Sequence, residues 1–273
     1  MVEIKIKTNH RSFGLFFIDR SCVFGYLMVF KGGMSMKYMG SKARIAKHIL
    51  PIILKDRKEG QRYVEPFVGG ANMIDKVDGD RIGADSNKNV IDALMFIRDS
   101  ITPKTNTEYS EADYKTASKA VRSGLDVEPI DSYALIAFSF GAKWVGGWCR
   151  GKNAKGEDRD YVNEQHKSSE KQRPLIAGVK FVTSSYQDLE IPKNSIIYCD
   201  PPYAGTTKYK DYFDHDTFWQ WVREKSKEGH QVFVSEYNAP NDFKCVWQQE
   251  LNVSVAKSGK QKKAMEKLFI FKG

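Results

Sequence analysis

Apolar positions in this chain fall into short blocks whose spacing changes at a few marked points. Residues 1 to 33 hold apolar runs such as "FGLFFIDRSCVFGYLMVF" without helical periodicity and close at Lys31, Gly32 and Gly33. From Met34 the pattern becomes regular. In "SKARIAKHILPIILKDRK" Ile45, Ile49 and Ile53 recur one turn apart with basic residues opposite, which predicts an amphipathic helix with Ser41 as its N-cap. "YVEPFVGGANMI" reads as a strand entering a glycine turn, and "DRIGADSN" as a second strand ending at Asp85. Helical patterns follow in "VIDALMFIRDS", "EADYKTASKAVRS" and "SYALIAFSF", before "GAKWVGGWCRGKNAKGEDRDY" breaks every period. Strands return at "VKFVTSSYQDL", at "SIIYCD" and at "HQVFVSEYNAP" after the helix "DTFWQWVREKSKEG", and the chain closes on "KLFIFKG". Strands alternating with helices predict an α/β sheet carrying an irregular insertion.

Composition narrows the partner. The 273 residues hold 43 Lys plus Arg against 34 Asp plus Glu, a net charge of +9, which favours a polyanion. Cys22, Cys149, Cys199 and Cys245 form no CxxC pair and sit beside no His cluster, so neither a zinc site nor a disulfide framework is expected, and a reducing cytoplasm fits. The longest apolar run is broken by Asp19 and Arg20, so no membrane span or signal peptide is expected.

Two stretches carry chemistry. After the buried run Ile196, Ile197, Tyr198, the residues Asp200, Pro201, Pro202 and Tyr203 leave the strand where ligands bind in open α/β sheets. Neither proline has an N–H, so the backbone leaves the ladder with its carbonyls free to accept. Gly69 and Gly70 allow close backbone approach at another strand end, and Asp85 one strand later suits the two hydroxyls of a ribose. The pair is not GxGxxG, which argues against a dinucleotide. Lys143, Arg150, Lys152, Lys155, Arg159, Lys167, Lys171 and Arg173, with Trp144 and Trp148 among them, form a basic and aromatic cluster suited to phosphates and base steps.

With these blocks in place the chain resembles the Dam-type DNA adenine methyltransferases of class α, in particular the phage-like members. "KYMGSKARI" is similar to the family's N-terminal cofactor motif, "VEPFVGGAN" to its glycine loop, "GADSN" to its ribose-binding turn and "YCDPPYAGT" to its catalytic motif, in the family's order. The first block has Gly40, Ser41, Lys42 where many members have Gly-Gly-Lys. The resemblance implies a Rossmann-like S-adenosylmethionine-dependent core at 36–92 and 176–273, a mainly helical or irregular target-recognition insertion at 93–175, and an N-terminal extension, 1–35, outside the match. It implies Asp200, Pro201, Pro202 and Tyr203 as catalytic residues. Tyr38, Lys42, Glu65, Pro66, Phe67, Gly69, Gly70, Asp85 and Asp188 are implied for S-adenosyl-L-methionine, and Lys143, Trp144, Trp148, Arg150, Lys152, Lys155 and Arg159 for double-stranded DNA. The implied setting is DNA modification in a bacterial or phage-infected cytoplasm, restriction–modification included. Residues 1 to 33 are expected to be dispensable, with Met34 or Met36 a possible start.

The chemistry follows from the residues as well. Adenine's exocyclic amine is a poor nucleophile, and acceptors for both of its N–H bonds localise the lone pair toward a methyl sulfonium. The Asp200 carboxylate and the Pro201 carbonyl are those acceptors, and Tyr203 offers a face on which a flipped base stacks. Cytosine ring methylation needs a cysteine nucleophile, and no Pro-Cys dipeptide occurs. The alternatives are methylation of RNA or of a protein amino group, whose glutamine-modifying members usually have Asn at the place of Asp200, and a catalytically silent DNA-binding protein.

Overall fold

The computed structural model describes residues 35–203, 213–254 and 261–273. The N-terminal extension to residue 34, with Cys22 and the segment expected to be dispensable, lies outside the described residues, as does Ala204 to Thr206 of the catalytic block.

Seven described strands make one sheet. β1 (Tyr63–Glu65), β2 (Arg81–Asp85), β3 (Val179–Thr183), β4 (Ile196–Cys199) and β5 (Gln231–Glu236) run parallel, while β6 (Phe243–Ser254) and β7 (Gln261–Phe271) are antiparallel to one another and β7 pairs antiparallel with β5. The order across the sheet is β3-β2-β1-β4-β5-β7-β6. Winding runs outward from β1 to β3 and resumes at β4 on the other side, so the switch point lies between β1 and β4, where doubly wound sheets open a crevice beyond their carboxyl ends. Register sets Tyr63 against Ile196 and Val64 against Ile197, so the chain after Glu65 and the chain after Cys199 leave the sheet side by side. Both strands are buried throughout, as expected of central parallel strands. This is the Rossmann-like α/β class anticipated from the sequence.

Helices cover the faces. α6 (His215–Lys227), capped by Asp214, packs Phe218, Trp219 and Val222 against Val64, Ile197, Val232 and Val234. On the other side α2 (Lys88–Asp99) lies on β2 and β3 and carries α4 (Pro129–Ala137) and α5 (Tyr161–Ile176). α3 (Glu111–Arg122) packs on α4 and starts with a capping box of Ser110 and Asp113. α1 (Ala46–Ile53) buries Ile45, Ile49 and Ile53 as predicted, but its N-cap is Ile45, not Ser41. Ser41 closes a turn instead, donating its N–H to Tyr38 O at 3.2 Å across Gly40, whose φ of +83° is left-handed.

The sequence pattern gave no sign of α5, and its inward face explains why. Gln165, Ser168, Ser169 and Gln172 are buried at helical spacing, so the periodic stripe is polar and escapes an apolar count. α2 runs through residue 92 to Asp99 against β2 and β3, and α5, which ends at Ile176, packs on α2 and on the turn Ile74–Lys76. Arg98 donates to Val179 O, and Arg173 donates to Ile97 O and Ser100 O, so the ends of the expected insertion are stitched into the sheet layer. Among the described residues no helix is long and apolar enough to cross a membrane, and no group of three or more His, Cys, Asp or Glu side chains is arranged to hold a metal ion.

Candidate active site

Beyond β1 the chain turns through Glu65, Pro66, Phe67 and Val68 to Gly69 and Gly70. Gly69 has φ of +47°, and a Cβ there would stand 2.8 Å from Tyr38 Cε1; a Cβ on Gly70 would stand 2.6 Å from Tyr38 Cβ and from Asn72 Nδ2. Two glycines are therefore what lets this loop close on the Tyr38 ring. The loop is also held from behind. Gln172 on α5 donates to Gly70 O at 2.9 Å and accepts from Met36 N at 2.9 Å, while Asn72 donates to Met36 O at 3.3 Å. Phe67 points toward α6 and meets Phe218 and Tyr186 edge-on or tilted.

One strand over, Asp85 ends β2. Its carboxylate accepts from Gly69 N at 3.3 Å and Asn87 N at 2.9 Å, yet burial outweighs these bonds and pushes its pKa up to about 6. Asp188, after β3, is exposed and closes a turn with Ser185, whose hydroxyl donates to it at 2.6 Å.

Beyond β4 stand Asp200, Pro201, Pro202 and Tyr203. Lys42, one turn ahead of α1, sets its ammonium 2.8 Å from Asp200 Oδ1, 3.8 Å from Glu266 Oε1 on β7, and 4.6 Å from the centre of the Tyr203 ring. Burial would lower the pKa of Lys42, but Asp200 and then Glu266 outweigh it, so the ammonium is held above its ordinary range. Burial raises Asp200, with Lys42 opposing, and the same holds for Glu266. The Lys42–Asp200 contact is a close ion pair on a buried oxygen, Asp200 Oδ1. Glu65 Oε1 is likewise buried, and burial lifts this acid well above the usual carboxylate range against the opposing Tyr63 hydroxyl. The Tyr203 hydroxyl donates to Glu266, and its ring meets Tyr237 edge-on at 4.7 Å.

A buried carboxylate at Glu65, another at the end of β2 and a glycine loop folded over an aromatic ring all lie beside one switch point. S-Adenosylmethionine, with an ammonium group, ribose hydroxyls and an adenine, offers donors to these carboxylates and a flat surface to the ring, so the set fits that methyl donor.

The basic cluster lies in the middle of the chain. Lys143 and Lys155 are exposed with no acidic partner among the described residues' ion pairs, while Trp144 is half-buried. Trp148 packs edge-on against Tyr114 and Phe138 and so belongs to the packing of α3 and α4. Arg150 pairs with Glu111, Arg159 with Glu164, and Lys152 with Asp158. Arg150 and Trp148 line a groove with Lys115, Lys119 and Arg122 of α3, cations that the cluster read from sequence did not include. Glu266 and Gln172 also lay outside every motif. Alternation in "AMEKL" sets Glu266 in phase with buried Leu268, a signal for an inward acid.

Known proteins resemble this chain at the level of family. The profile of a family described as D12 class N6 adenine-specific DNA methyltransferase matches residues 38–122 and 150–258. Type II methyltransferase M.FokI of Planomicrobium okeanokoites is 25% identical over 205 residues, which cover 64% of this chain and 30% of that protein. The matched chain thus spans under a third of that relative's length. Among solved structures, SMU.472, described as a candidate methyltransferase complexed with SAH, is 12% identical and covers 89% of this chain and 55% of its own at a TM-score of 0.38, too loose a superposition to bear on the fold. The two matched segments take in the Tyr38–Lys42 turn, the glycine loop, Asp85 and the Asp200–Tyr203 turn, and on that match this chain belongs to the D12 class N6 adenine-specific DNA methyltransferases.

Proposed function

We propose that this chain transfers a methyl group from S-adenosyl-L-methionine to N6 of an adenine flipped out of double-stranded DNA. The observation that carries the reading is the Asp200 carboxylate at the switch point, buried and held 2.8 Å from the Lys42 ammonium. S-Adenosylmethionine supplies an electrophilic methyl group. The residues do the rest. Asp200 and the Pro201 carbonyl accept the two N–H bonds of the exocyclic amine, which draws its lone pair out of the ring and toward the methyl carbon. As the new N–C bond forms and the C–S bond breaks, N6 releases one proton, which leaves through the carboxylate to solvent. Lys42 opposes the burial that raises Asp200 and so favours its ionised form, and no covalent intermediate with the chain is needed. Tyr203 stacks the base on the ring face turned away from the Lys42 ammonium.

For the methyl donor, Tyr38 packs on the loop Glu65, Pro66, Phe67, Gly69 and Gly70, Asp85 takes the ribose, and Asp188 borders the adenine. The DNA face is the middle of the insertion. Lys143, Lys155, Arg150, Lys152 and Arg159 meet phosphates, with the α3 cations extending the surface and Trp144 the aromatic side chain next to Lys143. Labelled S-adenosylmethionine offered with duplex DNA, RNA and protein tests the reading. Label recovered as N6-methyladenine in DNA is expected; label in RNA or protein alone would overturn it.

A further inference from the structure

β7 runs antiparallel to β5 with Lys267 opposite Glu236, which brings Glu266 level with Tyr237 just past the carboxyl end of β5. A buried acid thereby enters the crevice from the far side of the sheet, from an element that no catalytic motif covers. Its Oε1 accepts the Tyr203 hydroxyl and stands 3.8 Å from Lys42 Nζ; Lys42 in turn stands 2.8 Å from Asp200 Oδ1 and over the Tyr203 ring. The four side chains close a ring: Asp200, Lys42, Glu266, Tyr203.

We propose that Glu266 is a positioning residue for methyl transfer, holding the Tyr203 ring by its hydroxyl and the Lys42 ammonium by charge so that both stay set against Asp200. This rests on the reading of Asp200 as the acceptor for the amine. The reason lies in the stems. A lysine ammonium rides on four methylenes and, with one carboxylate to answer to, swings about it; a second carboxylate across from the first fixes it between the two. Tyr203 stands four residues past the end of β4, outside the ladder, and a hydrogen bond at the tip of its ring fixes the ring's direction. Tyr237, edge-on to Tyr203, limits the ring further. A purely structural role for Glu266 is poorly supported by its surroundings, because Leu268 and Phe269 already bury β7 against the core.

The test compares E266Q and E266A with the parent in single-turnover transfer at saturating DNA and methyl donor. E266Q keeps an acceptor for Tyr203 and loses the charge, so its rate should fall about tenfold, and E266A, losing both, about a hundredfold, as misplaced catalytic groups do. Dissociation constants for DNA and for S-adenosylmethionine should stay within about threefold of the parent, and E266D should recover part of the rate. E266A turning over within about twofold of the parent, or a rate loss matched by equal losses of binding and melting temperature, would overturn the proposal. A second measurement does not depend on transfer, so it survives if the parent proves not to methylate DNA. In protein labelled with 13C at glutamate side-chain carboxyls, the Glu266 signal is assigned by its absence in E266Q, and its titration is followed in the parent and in Y203F. Removing the phenol donor should move the Glu266 midpoint to higher pH, because that bond and Lys42 lower it while burial and Asp200 raise it. An unmoved midpoint would show that Tyr203 and Glu266 are not coupled.

Discussion

The Lys42–Asp200 pair at the switch point and the Arg150–Glu111 pair on the α3 groove are both close contacts, 2.8 and 2.5 Å, in opposite surroundings. The Lys42 side chain is 11% exposed and that of Arg150 is 69% exposed. Removing one member of a buried pair strands a charge and costs about 3–5 kcal/mol, whereas an exposed pair is worth about 0–1 kcal/mol and is screened by salt. Breaking the inner pair is therefore costly, and the outer pairs, Arg159–Glu164 and Lys152–Asp158 included, cost little to exchange for another anion. One kind of bond does two jobs, and burial decides which.

The largest effect should come from breaking the inner set. D200A should reduce methyl transfer at least about a thousandfold in single turnover while DNA affinity changes less than about threefold, since the carboxylate acts on the reacting amine and not on phosphates. Turnover within tenfold of the parent would remove Asp200 from the chemistry.

K42M should follow, with transfer down about a hundredfold. Lys42 opposes the burial that raises Asp200, so its loss raises Asp200 further and delays the ionised form. The acid limb of the pH–rate profile should move to higher pH. A limb that stays in place would separate Lys42 from Asp200.

Asp85 predicts a smaller effect on a different axis. Its folded pKa of about 6 lies above the ordinary 3.8, so its contribution to stability is full below the unfolded value and is lost as pH rises through 6. D85N, neutral throughout, should flatten the decline in melting temperature between about pH 4 and 6 and weaken S-adenosylmethionine binding. An unchanged slope in D85N would assign the pH dependence to another group.

The outer set should give the mildest changes. Neutralising Arg150, Lys152 and Arg159 together should weaken DNA binding and reduce the slope of log affinity against log salt by no more than about three, with cofactor affinity unchanged. Because each cation sits on an acid, E111Q with E164Q should instead tighten DNA binding by about two- to threefold. Filter binding across a salt series measures both, and loss of affinity in the double variant would show that these acids orient the arginines more than they occupy them.

What could be read from the sequence divides along the same line. The switch-point loops were legible because they need residues with unusual backbones: Gly69 at φ +47°, two prolines without donors, and acids at strand ends. The sheet was legible from blocks buried on both faces, such as Ile196 to Cys199. α5 was hidden because its buried stripe is Gln and Ser, and the Ser41 cap was misplaced because Gly40 bends the chain away before the helix begins. Glu266 was hidden by its neighbours, since Lys263, Lys267 and Glu266 read together as a solvated charged strand although alternate positions face opposite ways. The basic cluster was visible as charge, but its pairing with Glu111 and Glu164 depends on α3 and α5 coming within reach of the loop between them.

Gln172 joins the two halves of that comparison. α5 shows Lys167 and Lys171 to solvent, and on its buried side one amide grips both the carbonyl of Gly70 and the N–H of Met36. If DNA meets these lysines and the methyl donor meets the glycine loop, as proposed above, both ligands act on the two ends of one hydrogen-bonded link. Whatever factor one ligand applies to the affinity of the other must be returned in full, because the coupling between two binding equilibria is reciprocal. A Glu at this position would keep the acceptor for Met36 and lose the donor for Gly70, leaving the link attached at one point where it now has two.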